Sequence, residues 1–189
     1  MTVSLIAVAL GSLTVSQARA QDRLDITGLE ISPHAGFIFL DELENSEFFA
    51  GGTALFHVGG GLALGGTVDW ANSTVEVGDE DFDVTLWHYS GEIWYGLPTV
   101  TRAQFYGALG VGVAQLHPSS EFEDAGGDDE SDIMVPIELG VRWVNDKADA
   151  DWGALFQVRD RVVYGGEEED KKVRNDWSVG IGLSLFIGG

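Results

Sequence analysis

The chain closes on a stretch in which apolar and small residues alternate with period two. Residues 177–187 read WSVGIGLSLFI, and every second residue from Trp177 to Ile187 is apolar. Because successive side chains of a β-strand point to opposite faces, this pattern predicts a strand with one strongly apolar face. We predict an all-β chain of eight strands, because the same alternation occurs in seven earlier segments: 29–39, 50–58, 62–70, 84–95, 103–115, 133–143 and 152–164.

The lengths of the predicted strands and connections favour a chain that crosses a membrane. Most strands are 9 to 13 residues long, whereas strands of soluble proteins average ~5–6 residues and a tilted membrane-spanning strand needs ~9–11. Successive connections between antiparallel strands lie on opposite sides of the membrane that the strands cross. Connections that alternate between long and short therefore predict an eight-stranded antiparallel up-and-down transmembrane β-barrel. The long connections are 40–49, 71–83, 116–132 and 165–176, and the short ones are 59–61, 96–102 and 144–151.

Acidic residues concentrate in the four long connections. The sequence has 31 Asp and Glu against 10 Lys and Arg, and 21 of the acids lie in these connections. The chain lacks the basic footprint of nucleic-acid binding, so no nucleic-acid partner is expected. Asp79, Asp81 and Asp83 could bind divalent cations weakly through their carboxylate oxygens, and a solvated acidic surface is the alternative. Cysteine is absent, and neither a specific metal site nor a cofactor is predicted.

The face opposite the large apolar residues indicates which side of the barrel meets lipid. It consists mostly of Gly, Ala, Ser and Thr, which fit the narrow interior of an eight-stranded barrel. We therefore expect the apolar face to contact lipid, and a soluble lipocalin-like carrier with that face inside is the alternative. Two belts of aromatic residues support the membrane interpretation. The alternative is that these residues are the ordinary aromatic residues of β-strands. The belts are Trp70, Trp87, Tyr164 and Trp177 near the long connections, and Tyr95, Trp143 and Trp152 near the short ones.

The first twenty residues have the features of a secretory signal peptide. The apolar segment 4–15 is followed by Ala18-Arg19-Ala20, which fits a small-x-small cleavage site. The segment is too short for a transmembrane helix, which needs ~20 apolar residues. We predict a cleaved signal peptide at 1–20 and a barrel domain at 21–189, with a buried N-terminal helix as the alternative.

The last strand carries a pattern that resembles a known family. Ser178, Gly180, Leu183, Leu185 and Phe186 fit the terminal assembly signal of the small eight-stranded outer-membrane barrels of Gram-negative bacteria, the outer membrane protein A and X type. The resemblance covers residues 24–187 and rests on the architecture and on this strand.

This resemblance implies a location, partners and a function. It implies that the long connections are external loops and the short ones periplasmic turns, in the outer membrane of a Gram-negative bacterium. The implied partners are outer-membrane lipid and the barrel-assembly machinery. The expected function is non-enzymatic, with a structural or surface-interacting role or at most a narrow pore.

Five charged residues fall on the face predicted to line the interior. An unpaired buried charge is costly, so we expect a network of ion pairs that fills the lumen. A gate that opens a narrow pore is the alternative. The five residues are Glu92, Glu138, Arg142, Arg159 and Arg161.

The stretch HYSGE places three candidate catalytic residues on one strand face. A serine with an adjacent base and an orienting acid can act as a nucleophile, and His88, Ser90 and Glu92 offer these groups. The trio resembles the His-x-Ser pair and Glu of outer-membrane lipid A deacylases. A lipid A-modifying hydrolase is therefore the alternative function. If the three residues are not catalytic, they are polar residues that line the lumen.

Two residues do not fit their predicted strands. Pro136 removes a backbone donor from the sheet, and Asp160 places a charge on the lipid-facing side. We expect a bulge at each position or, for Asp160, a strand that has already left the membrane.

Overall fold

Eight antiparallel strands form a closed barrel in the computed structural model, which describes residues 24–40, 45–77, 80–124, 126, 128–146, 150–165 and 172–188. Each strand pairs with the next along the chain, which confirms the predicted up-and-down barrel. The predicted signal peptide at 1–20 lies outside the described residues. The strands are β1 Thr27–Leu40, β2 Asn45–Gly59, β3 Leu62–Val77, β4 Glu80–Gly96, β5 Ala103–Pro118, β6 Glu130–Val144, β7 Trp152–Gly165 and β8 Lys172–Ile187.

One short helix, α1 Ser120–Asp124, lies between β5 and β6. Among the described residues, no helix has the length and apolar character needed to cross a membrane.

Pairing between the last strand and the first closes the sheet. Leu29 lies opposite Ile187, and Phe39 lies opposite Trp177, so β1 and β8 pair along most of their length. In lipid every backbone donor and acceptor must pair within the protein, and a closed barrel meets this condition because it has no edge.

Large apolar side chains form the outward face of the strands, and most of the small and polar side chains point inward. Ile181 is 69% exposed and Phe105 is 64% exposed, whereas Ser178 and Ser184 are fully buried. This orientation is incompatible with the soluble lipocalin-like carrier, which requires the apolar face inside. The outward face needs an apolar solvent, and lipid provides one.

Several strands run further at the long-loop end than predicted. The connection predicted at 71–83 was wrong in extent, because β3 continues to Val77 and β4 begins at Glu80. In this extension the two faces exchange character: Thr74 and Asp81 are exposed outside, whereas Ala71 and Phe82 are buried inside. An apolar outward face defined the predicted strand ends, so the prediction stopped where the barrel leaves lipid.

The expected bulges at Pro136 and Asp160 do not occur. The ladder between β5 and β6 lacks pairs opposite Pro136, but the register is the same on both sides of this gap. Asp160 keeps an unbroken register with both neighbouring strands. It lies opposite Trp177, a residue of the predicted outer aromatic belt. This position fits the expectation that β7 has reached the membrane surface there.

A register shift occurs instead next to the turn between β2 and β3. It falls between His57 and Gly59. Gly59, Gly60 and Gly61 all have positive φ angles, a backbone conformation that glycine adopts without steric cost. Three successive glycines therefore permit this tight turn.

A charge placed on the lipid face tests the orientation of the barrel. Ile181 lies four residues from both Trp177 and Leu185 on β8, so Ile181→Arg should lower the free energy of unfolding by about 2–4 kcal/mol. The control Thr74→Arg, on the exposed outer extension of β3, should change it by less than about 0.5 kcal/mol. Denaturant titration in lipid vesicles measures both values. Equal effects would contradict the orientation.

Candidate functional site in the barrel lumen

Arg159 crosses the lumen and contacts carboxylates on the facing walls. Its guanidinium extends from β7, and its Nε donates to Glu138 Oε2 on β6 at 2.6 Å. Its Nη1 donates to Asp69 Oδ2 on β3 at 3.1 Å, and its Nη2 lies 3.5 Å from Glu92 on β4. All four side chains are at most 1% exposed. One arginine therefore joins four strands.

A second cluster forms around Asp69. The carboxylate pairs with Arg161 as well as with Arg159, and its Oδ1 lies 2.7 Å from His34 Nε2. Arg161 also donates from Nη1 to Ser178 Oγ at 2.8 Å. Because each charged group has a charged or hydrogen-bonding partner, the cost of burying it is offset.

Glu30 forms a third cluster nearer the short-turn end. Its Oε2 lies 2.9 Å from Arg142 Nη2 and 2.6 Å from His57 Nε2, and Ser32 Oγ donates to Oε1 at 2.8 Å. The guanidinium of Arg142 also lies over the ring of Tyr106, 5.4 Å from its centroid. Cations are attracted to the face of such a ring.

The structure places all five predicted charged residues inside the barrel, but all three arginines also pair with acids outside the predicted set, Arg159 with Asp69 in addition to Glu92 and Glu138. Arg142 pairs with Glu30, and Arg161 pairs with Asp69. The alternation along β1 and β3 puts both acids on the inner face, so the signal was present in the sequence. The two histidine partners could have been identified in the same way.

Glycine leaves the space that the Asp69 cluster occupies. A Cβ atom at Gly51 would lie 2.7 Å from His34 Nε2 and would also collide with the carboxylate of Asp69. Real Cβ atoms do not approach other heavy atoms this closely. Any larger residue at position 51 would therefore displace the cluster.

Buried apolar side chains pack against the charged network at three levels of the lumen. Toward the long-loop end the inward side chains form a buried cluster of Ile38, Leu40, Phe49, Ala71 and Leu86. A second cluster lies among the charges, because Leu55 is opposite Glu30 and Leu155 is opposite Arg142; its members are Leu55, Ala63, Trp94, Tyr106, Ala108 and Leu155. A third cluster, Leu24, Ile26 and Val144, lies beyond the charges at the short-turn end. The rings of Trp94 and Tyr106 stack 4.6 Å apart. The described lumen is thus filled by side chains along its length.

The three candidate catalytic residues face the lumen, but their contacts differ from those of a nucleophile and its base. Ser90 Oγ donates to Glu92 Oε1 at 2.6 Å, and Trp94 Nε1 donates to Glu92 Oε2 at 2.8 Å. His88 is 3% exposed, and the hydrogen bonds of the described residues do not join it to Ser90.

The remaining predicted positions lie as follows. All seven aromatic belt residues lie on the outward face, and Trp143 packs edge-on against Trp152 at 5.5 Å. In the predicted assembly signal, Leu183 and Leu185 point outward, while Ser178 and Gly180 point inward. The ring of Phe186 lies 6.4 Å from that of His57.

The predicted weak cation site is only partly described. Asp79 lies outside the described residues, and Asp81 and Asp83 are exposed on β4. The described residues include no group of three or more His, Cys, Asp or Glu side chains that could hold a metal ion.

Three solved outer-membrane barrels share this fold. Neisserial surface protein A matches with a TM-score of 0.63 at 14% identity, over 85% of this chain and 98% of that one. OprG from Pseudomonas aeruginosa matches with a TM-score of 0.58 at 13% identity, over 86% and 98%. The N-terminal barrel domain of OprF from the same organism matches with a TM-score of 0.51 at 14% identity, over 84% and 97%. No protein-family model and no curated protein matches the chain.

These likenesses are likenesses of fold, and they confirm the predicted resemblance to the small eight-stranded outer-membrane barrels. The apolar outward face agrees with the predicted location in the outer membrane of a Gram-negative bacterium.

Removing the central arginine tests the lumen network. Arg159→Met should lower the free energy of unfolding by about 3–5 kcal/mol, because it leaves buried carboxylates without their cation. Adding Glu138→Gln to that variant should restore part of the loss. The control Glu121→Met removes an exposed charge and should cost less than about 0.5 kcal/mol. Denaturant titration in vesicles gives all three values, and similar losses for Arg159→Met and Glu121→Met would contradict the network's role.

Proposed function

We propose that the protein is a non-enzymatic, closed outer-membrane barrel that acts at the cell surface through its acidic external loops. The observation that carries this proposal is the filled lumen. A channel needs a continuous polar path, and apolar constrictions stop ions by excluding water. Here buried apolar clusters lie beyond the charged network at both ends, with Ile38, Leu40 and Phe49 at the long-loop end and Leu24, Ile26 and Val144 at the short-turn end. The interior supports the barrel wall, which leaves the outer surface for interaction.

The contacts of Ser90 favour this function over a lipid A hydrolase. A serine nucleophile needs a base that accepts its proton. The hydroxyl of Ser90 donates to Glu92, and Glu92 also accepts from Trp94 and lies near Arg159. This carboxylate is already engaged in the lumen network. Ser90 also lies on the inner wall, away from the lipid that a hydrolase would have to reach.

The long-loop end presents acids on a fixed support. The rings of Phe82 on β4 and Phe122 on α1 stack 5.1 Å apart, and Ser119 N donates to Asp83 O at 3.0 Å. These contacts fasten α1 to the rim of the barrel, where Glu121 and Glu123 are exposed. A surface of like charge raises the local concentration of oppositely charged partners. We therefore expect cationic ligands at this end.

Electrical recording tests the closed lumen. The purified protein should show no stepwise conductance in a planar lipid bilayer, because buried apolar clusters lie at both ends of the described lumen. A general porin added to the same bilayer serves as the positive control. Regular conductance steps from the wild-type protein would refute the closed barrel and support the narrow pore.

Neutralising acids at one end tests the site of interaction. The variant Glu121→Gln/Glu123→Gln/Asp128→Asn should bind fluorescent polylysine more weakly than the wild type in detergent solution. Its affinity should also depend less on salt, because screening acts on the charges that remain. Fluorescence anisotropy across a series of salt concentrations measures both effects.

The matched control removes the same number of acids at the short-turn end. Asp25→Asn/Asp146→Asn/Asp151→Asn has the same net charge as the loop variant and should bind polylysine like the wild type. If both variants lost affinity equally, net charge alone would govern binding and the loops would have no special role.

A further inference from the structure

The lipid-facing wall contains an apolar groove over β4, β5, β6 and β7. Its volume is about 900 Å³, which lies within the range of ~300–1,000 Å³ typical of ligand pockets. Gly107 lies in the groove, flanked in register by Tyr95 on β4 and Leu139 on β6. Large outward side chains such as Phe105 and Leu109 surround this residue, which has no side chain.

The barrel wall does not need glycine at position 107. Its φ angle is not among the positive values, and a Cβ atom there would lie 3.4 Å from Leu139 Cδ2, an ordinary contact. Neither backbone strain nor crowding therefore accounts for the missing side chain. What glycine provides at this point is the depth of the groove.

The position of the groove indicates what fills it. It lies in the part of the wall that faces lipid, next to the short-turn end, where Tyr95 and Leu97 line it. Leu97 begins the turn to β5, and Leu97 N donates to Phe105 O at 2.7 Å. A lipid in this groove would present its hydrocarbon to the apolar lining and its polar group to the turn.

A single cation lies in this turn. Arg102 is exposed, and it is the only exposed Lys or Arg among the described residues of the short-turn end, in a chain of net charge −21. A guanidinium binds the oxygens of a phosphate well, because its donors match them in pairs. The turn that carries Arg102 begins at Leu97, which lines the groove.

We propose that this groove is a binding site for one glycerophospholipid, with an acyl chain over Gly107 and the phosphate at Arg102. The pairing of an apolar groove with one cation matches the two parts of such a lipid. This site is separate from the loops, so the loop function can fail while the lipid site stands.

Native mass spectrometry of the full chain tests the site. The protein is folded into vesicles that contain phosphatidylglycerol, extracted in mild detergent and examined for retained lipid. The wild type should retain one phosphatidylglycerol. Gly107→Leu should fill the groove and lower retention about tenfold. Gly52→Leu makes the same change on the outward face of β2, where a Cβ would meet no atom within 4 Å, and should retain lipid like the wild type.

Variants of Arg102 test the polar end of the site without altering the wall. Arg102→Ala should lower retention of phosphatidylglycerol, and Arg102→Lys should keep most of it. These two variants decide the question even if Gly107→Leu fails to fold. Equal retention by the wild type and all variants would mean general boundary lipid and would overturn the proposal. A protein dimer that Gly107→Leu dissociates, with no lipid retained, would assign the groove to a second copy of the chain instead.

Discussion

The rest of the structure follows from the need to pair every backbone polar group inside lipid. A sheet can meet this need only by closing on itself, which the pairing of β1 with β8 achieves. Closure with eight strands leaves an interior wide enough only for side chains. Small and polar residues and buried apolar clusters therefore fill the inside. The outer face is apolar until β3 and β4 extend beyond the membrane, where exposed polar residues take its place.

The narrow interior explains why the charges inside belong to a shared network. Arg159 on β7 reaches Glu138 on the neighbouring strand β6 and crosses the lumen to Asp69 on β3 and Glu92 on β4, so the network links parts of the wall that are not neighbours. Replacing buried ion pairs with apolar groups is often neutral or stabilising, whereas removing one partner is costly. A shift of one residue in register would turn these charges toward lipid. The network therefore acts against wrong registers.

The sequence was enough to predict the strands and their faces, but not the pairs across the lumen. Alternation decides which side of a strand a residue occupies, and it placed Glu138, Arg142 and Arg159 inside. Pairing across a barrel also depends on the stagger of all eight strands, which no local pattern records. For this reason Arg142 was not matched with Glu30, although both lay on inward faces. The extent of the loop at 71–83 was wrong for a related reason, because the strands continue after the polarity inverts.

Two glycines of this barrel differ in the reason for which they lack a side chain. At Gly51 a side chain would displace the Asp69 cluster, so the need comes from the interior. At Gly107 a Cβ would fit with ordinary contacts, and the interior makes no demand. A residue that the wall does not require to be small, surrounded by large neighbours on the lipid face, points to a requirement from outside the wall. At this groove one lipid molecule acts as a ligand of the barrel, whereas elsewhere on the outer face lipid acts as the solvent.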